Sequence, residues 1–337
     1  MKPDITASNA DRGVRIAGTG STVPSGLLTN RDLEKICDTS DEWIVKRTGI
    51  RERRICDPRT ESSFSLARDA LLKAIEDAGI EGSDIELVIN ATVSMEMICP
   101  SNACRIAAAV GATPAGAFDL TAACSGFVYA MNMADTLVRS GRFRTIAVTG
   151  CDAMSNMIDY NDRTVSIIFG DAAGAAIVTA DEDPRRGCIY QRSEADGRDW
   201  SNLYIPRRPQ EAAIEKDSPI PLGKLRMKGR EVYKFAVGKF QWAIKDALEK
   251  VGLDREEVSM YICHQSNLRI IESAIEKLDL PKDRVYVNID KYGNSSAGSV
   301  GLCLDEVRRN DRIPDGKPFI MVAFGGGLTW ATSVWVP

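Results

Sequence analysis

The sequence predicts an α/β protein made of two similar halves. Three observations lead there: strand-like and helix-like segments alternate, the second half replays the order of the first, and matching positions lie at nearly constant offsets. The opening "GVRIAGTGSTVP" reads as a strand. It fails the dinucleotide pattern G-x-G-x-x-G, because Val23 stands where the third glycine belongs. Residues 64–79 put Phe64, Leu66, Ala67, Ala70, Leu71 and Ala74 at three-to-four spacing and end on Gly79, the pattern of a capped amphipathic helix. The strand "IELVINAT" and the helix-like "SNACRIAAAVG" follow.

"GAFDLTAACSGFVYAMNMADTLVRSG" then passes from strand to helix at Cys124, and "RFRTIAVTGCDAMS" is a strand ending in a turn. "SIIFGDAAGAAIVTA" reads as a hairpin around a Gly and Ala turn. Residues 181–224 are polar and proline-bearing, so they read as a surface excursion between an N-terminal half, 1–180, and a C-terminal half, 225–337. In the second half, "SMYICHQSNLRIIESAIEKL", "RVYVNIDKYGNSSAGSVGLCLDEVRR" and "KPFIMVAFGGGLTW" answer to the three strand-bearing units of the first. Val88 to Tyr261 spans 173 positions, Phe118 to Tyr286 spans 168 and Ile146 to Ile320 spans 174.

The 337 residues carry 44% apolar and 27% charged side chains, the balance of an ordinary globular protein. A net charge of -4 argues against general nucleic-acid binding. No apolar run reaches the roughly 18 residues of a membrane span, and the opening is polar, so a cytoplasmic protein is expected. Nine scattered cysteines without a C-x-x-C pair fit reduced thiols, with no metal site. There is one histidine, His264, which excludes any mechanism needing a pair.

Functional residues in α/β sheets gather in loops after strand ends, and such loops hold Cys124, His264, Asn294 and the run Gly325, Gly326, Gly327. Cys124 sits where a helix begins, a place that stabilises a thiolate and lowers its pKa; as a small residue among small residues it also fits as core filler. His264, one residue past a strand, suits an acid, base or donor role, or a cap. Asn294 reads as turn chemistry unless it faces an oxyanion beside His264. "FGGGLTW" lacks the phosphate-loop form, and its glycines let backbone approach a reacting centre.

Seven stretches in order carry a resemblance: "TSDEWIVKRTGIRERRI", "LTAACSGFVYA", "NDRTVSIIFGDAAGAAIV", "MKGREVYKFAV", "CHQSNLRII", "YGNSSAGS" and "FGGGLTW". Across almost the whole chain the sequence resembles the β-ketoacyl-acyl carrier protein synthase III family of the thiolase superfamily. The resemblance implies a thiolase-like fold in αβαβα layers and a homodimer that needs no cofactor. It also implies a condensing enzyme that initiates fatty acid synthesis by joining an acyl-CoA primer to malonyl-acyl carrier protein through an acyl-cysteine, giving 3-oxoacyl-acyl carrier protein. Cys124, His264 and Asn294 match the family's catalytic triad, and the amides of Cys124 and Gly326 its oxyanion hole.

Trp43, Arg47, Arg163 and Asn267 match CoA contacts, and Lys234 and Arg269 are candidates for a basic rim that meets the acidic carrier protein. Cys99 stands where many members carry a bulky residue reaching the partner's primer pocket, which implies a longer pocket here. Ala172 and Ser266 replace a common glycine and alanine and are expected to be silent. Chain-elongating relatives need a second histidine, which this sequence lacks, and Cys303 stands in a helix-like run where thiolases need a second active cysteine. The rival readings are an acyltransferase or thioesterase of secondary metabolism on the same fold, and an inactive binding protein.

Overall fold

The computed structural model describes residues 12–212 and 221–337, so the first eleven residues of the expected N-terminal half and part of the expected excursion lie outside the described residues. Two five-stranded sheets carry the fold. In the first, β1 (Gly13–Thr22), β2 (Leu87–Ala91), β3 (Gly116–Leu120), β4 (Thr145–Ala153) and β5 (Asp171–Asp181) lie in the order β3-β2-β4-β5-β1. In the second, β6 (Gly187–Ala195), β7 (Met260–Cys263), β8 (Val285–Tyr286), β9 (Phe319–Gly325) and β10 (Thr329–Val336) lie in the order β8-β7-β9-β10-β6. β2 runs parallel to β3 and β4, while β5 is antiparallel to both of its neighbours. The second sheet repeats these directions strand for strand.

Helices complete five layers. α1 (Ser63–Ala78) and α2 (Asn102–Ala109) cover the outer face of the first sheet, and α3 (Gly126–Arg139) lies between the sheets. α4 (Gly229–Val251) and α5 (Leu268–Leu278) cover the outer face of the second sheet, and α6 (Gly298–Arg309) joins α3 in the middle. Phe127 and Met131 of α3 pack with Val300 and Leu304 of α6 in one buried cluster that takes Val148 from one sheet and Met321 from the other. α1 forms as its spacing predicts: Ser62 caps it by accepting from the Ser65 amide, and Gly79 at φ 65° ends it.

Three expectations are corrected. "SIIFGDAAGAAIVTA" is not a hairpin, since residues 171–181 form one unbroken strand. Its small residues serve packing: a Cβ on Gly174 would lie 2.2 Å from the backbone carbon of Gly301 in α6. Residues 187–195 are not surface excursion but β6, the counterpart of β1, paired along its length with β10. It is an edge strand with alternate residues exposed, so its composition is polar and its sequence looks like a loop. The offset of 174 is one too many, because Val88 pairs with Ala147 and Tyr261 with Ile320, which makes Ala147 and Ile320 equivalent at 173. All nine residues of β4 are buried, so no alternation marks its register.

The contact between β5 and α6 is backbone against backbone, and neither side can turn away. Gly174→Ala is expected to destabilise the fold by about 2–3 kcal/mol, read as a lower denaturant midpoint with an unchanged slope.

Candidate active site

Cys124, His264 and Asn294 all line one cavity of about 740 Å³. Cys124 follows β3, His264 follows β7 and Asn294 follows β8, so the cysteine and the asparagine occupy equivalent loops of the two sheets. All nine cysteines are among the described residues, and Cys124 alone lines this cavity. That separates it from core fillers such as Cys303, which is fully buried in α6 with its thiol on Asn288 Oδ1.

The turn that presents Cys124 is tight. Ala123 has φ 46°, in the left-handed region, and the 3-10 turn Ala123–Ser125 runs on into α3. Ser125 Oγ lies 2.7 Å from the Ala122 carbonyl and 2.8 Å from Thr329 Oγ1, which holds the turn against β10. A Cβ on Gly325 would lie 2.7 Å from the Cys124 amide nitrogen, so only glycine lets the end of β9 come this close. Burial pushes the Cys124 thiol up to about 12, and the Ser296 hydroxyl, 3.4 Å from Sγ, partly offsets it. The lowered pKa expected from the helix start is therefore reversed by desolvation.

His264 is buried, and burial lowers its pKa to about 3. It is neutral at physiological pH. Its backbone amide donates to the Val322 carbonyl at 2.9 Å, its ring meets Phe324 edge-on at 5.3 Å, and Nδ1 lies 2.6 Å from Ser299 Oγ.

Asn294 is held by three bonds. Its amide donates to the Ile168 carbonyl and its carbonyl accepts from the Gly170 amide, which ties this loop of the second half to the first. Its Oδ1 accepts from the Ser296 amide at 2.9 Å. A carboxamide nitrogen cannot accept from an N–H, so this bond orients the side chain and leaves Nδ2 as the group able to donate.

Ser296 is the hinge of the site. Its φ of 51° is left-handed, and it touches Cys124 with its hydroxyl while orienting Asn294 with its amide. Behind it lies Asp152, fully buried, which accepts from Thr92 Oγ1, the Val93 and Ser94 amides, Ser94 Oγ and the Ala297 amide. Burial raises its carboxyl pKa, and the hydrogen bonds it accepts partly offset the rise. These bonds lock the loop after β8 to the ends of β2 and β4.

The far end of the cavity is basic despite the net charge. Arg47, Arg163, Arg230 and Arg269 line it and are exposed. The Arg47 and Arg163 guanidiniums lie 4.9 Å and 5.6 Å from the centre of the Trp43 ring, and Arg163 also binds the Asp38 carbonyl and carboxylate. Asn267 lines the cavity, but its side chain already caps α5 through the Arg269 amide and donates to the Arg47 carbonyl.

Three expected site residues do not line this cavity. Lys234 is exposed on α4, Cys99 is exposed in the loop after β2, and Gly326 lies beside the lining residue Gly325 with its carbonyl on Thr329 Oγ1. Residues that sequence reasoning passed over are Arg230, Ser296, Ser299 and Asp152. Arg230 and the two serines stand inside quoted motifs, but composition marks none of them as functional.

A cysteine sulfur that shares a cavity with a neutral imidazole and a carboxamide suits acyl transfer to the sulfur followed by stabilisation of an enolate, the work of condensing enzymes with the thiolase fold. Sequence comparison narrows the class: the model of 3-Oxoacyl-[acyl-carrier-protein (ACP)] synthase III matches residues 118–197 and that of its C-terminal part matches residues 248–336. The chain belongs to this family. It is 45% identical over 324 residues to the β-ketoacyl-[acyl-carrier-protein] synthase III of Caldanaerobacter subterraneus subsp. tengcongensis, covering 95% of this chain and 96% of that one. The corresponding protein of Xanthomonas campestris pv. campestris is 44% identical over 321 residues, 95% of this chain and 97% of the other. The crystal structure of the synthase III from Aquifex aeolicus VF5 superposes with a TM-score of 0.89 at 40% identity, covering 96% of this chain and all of that one.

Proposed function

We propose that this protein starts acyl chains by decarboxylative Claisen condensation of an acyl-CoA with malonyl-acyl carrier protein. The observation that carries the reading is that Asn294 Nδ2 and the neutral His264 share a cavity with the one lining cysteine.

Cys124 Sγ attacks the acyl-CoA thioester carbonyl, the bond to the CoA sulfur breaks, and CoA leaves as the thiol with the cysteine's proton. Malonyl-acyl carrier protein then enters, and its bond to the carboxylate breaks to release CO2. The electron pair left behind forms an enolate whose oxygen is held by His264 Nε2–H and Asn294 Nδ2–H. Its carbon attacks the acyl-cysteine carbonyl, with the amides of Cys124 and Gly326 holding the oxyanion. The carbon–sulfur bond to Cys124 breaks, giving 3-oxoacyl-acyl carrier protein, and the sulfur takes up a proton. Donors fixed before the charge appears stabilise the transition state more than the ground state.

The adenine of CoA lies between Trp43 and Arg163, with Arg47 as a further nucleotide contact and Asn267 beside the pantetheine arm. Lys234 and Arg269 meet the acidic carrier protein at the rim. The chain works as a homodimer through the outer edge of β3. That edge has no neighbour among the described residues, Phe118 on it is exposed, and Ile98 in the adjoining loop is 80% exposed. The same loop brings Cys99 of one subunit to the primer pocket of the other. No helix of the described residues is long and apolar enough to cross a membrane.

The test is a condensation assay with acetyl, branched and longer acyl-CoAs and malonyl-acyl carrier protein, following CO2 and product together. One CO2 per 3-oxoacyl product, with branched or longer primers accepted, is expected. Acylation of the protein without CO2 release would leave a simple acyltransferase instead, and a sharp acetyl preference would overturn the role given to Cys99.

A further inference from the structure

Because His264 is neutral, its usefulness depends on which ring nitrogen carries its single proton. Nδ1 is turned to Ser299 Oγ on α6, and Ser299 does not line the cavity. Nε2, on the opposite side of the ring, is therefore the nitrogen available to a substrate. It donates only if Nδ1 is bare.

Ser299 has one hydroxyl proton and two acceptors in reach. Oγ lies 2.6 Å from His264 Nδ1 and 3.0 Å from the Ser296 carbonyl. If the proton points to the carbonyl, Nδ1 must itself donate to Oγ, and Nε2 becomes an acceptor. If it points to Nδ1, Nε2 carries the ring proton. At 2.6 Å the pair is a close hydrogen bond in either direction, so its direction is decided by where else the single hydroxyl proton can go. The 3.0 Å contact is long for a hydroxyl donor. The Ser296 carbonyl also has another donor, the Ser299 backbone amide at 3.3 Å, so it is not left unpaired when the hydroxyl turns away.

We propose that Ser299 is the positioning residue that sets the tautomer of His264, holding its proton on Nε2 so that the only histidine enters the reaction as a donor. This rests on the condensing reading above for its consequence, and on the hydrogen-bond geometry for the tautomer itself. The hydroxyl also fixes the ring plane, since Phe324 packs edge-on against it and Ser299 holds one nitrogen.

The single histidine makes the test direct. Untagged protein grown with ring-labelled [15N]histidine has one pair of ring nitrogen signals, and the wild type is expected to show Nδ1 bare and Nε2 protonated at pH 7. Ser299→Ala is expected to give a mixture of tautomers and to slow malonyl-acyl carrier protein decarboxylation about tenfold, the worth of one hydrogen bond, with Cys124 acylation unchanged. Ser299→Thr, which keeps the hydroxyl, is expected to restore both the tautomer and the decarboxylation rate. A protonated Nδ1 in the wild type would overturn the proposal, and so would an unchanged tautomer with an unchanged rate in Ser299→Ala. If the wild type released no CO2, the condensing reading would fall, while the nitrogen spectrum would still decide the tautomer.

Discussion

Cys124→Ala protein mixed with acyl-CoA is expected to gain no acyl mass, and its condensation rate is expected to fall to background. The other eight thiols do not line the cavity, so none can take the acyl group in its place. Cys151, Cys263 and Cys303 are fully buried, and burial raises all three thiols far from ionisation. Intact-protein mass spectrometry reads the result directly: one acyl group on the wild type, none on the variant. An adduct that survives the substitution would remove Cys124 from the mechanism. The variant should still decarboxylate malonyl-acyl carrier protein, because both donors to the enolate remain. Loss of both activities together would point to a collapsed site.

His264→Ala is the second large effect. Decarboxylation and condensation are expected to fall about a hundredfold or more, the usual loss for one oxyanion donor, while acylation of Cys124 persists. A fall in acylation of the same size would instead make the histidine a base for the thiol. The pH dependence follows from burial. With a folded pKa of about 3, His264 stays neutral from pH 5 to 8, so its ring signals should not titrate there and should add no inflection to the decarboxylation profile. The sign for stability is equally definite. Between about pH 6.5 and 3 the unfolded chain protonates this histidine and the folded chain does not, so folding loses stability as pH falls through that window. His264→Ala should show a shallower loss there.

Much of the architecture could be read before folding. α1 and its caps, the repeated order of strand, loop and helix, and the placing of Cys124, His264 and Asn294 after strand ends all follow from patterns a few residues long. The misreadings have one source. β5 is rich in glycine and alanine because α6 packs on its backbone, and such a run imitates a turn. β6 is polar because it lies at a sheet edge, and it imitates a linker. β4 is buried on both faces, so its register left no trace in the sequence.

At the site the same division holds. Residue type and loop position follow from the sequence alone, because they depend on near neighbours and on which groups can act as nucleophile or donor. Direction and proton position belong to the folded chain. Ser296 reaches Cys124 across 172 positions, Ser299 reaches His264 across 35, and Asn294 is pinned to residues 168 and 170 of the other half. The basic rim is assembled in the same way, from arginines at 47, 163, 230 and 269 in a chain of net negative charge. Such contacts depend on long-range packing, and no local pattern of residues encodes them.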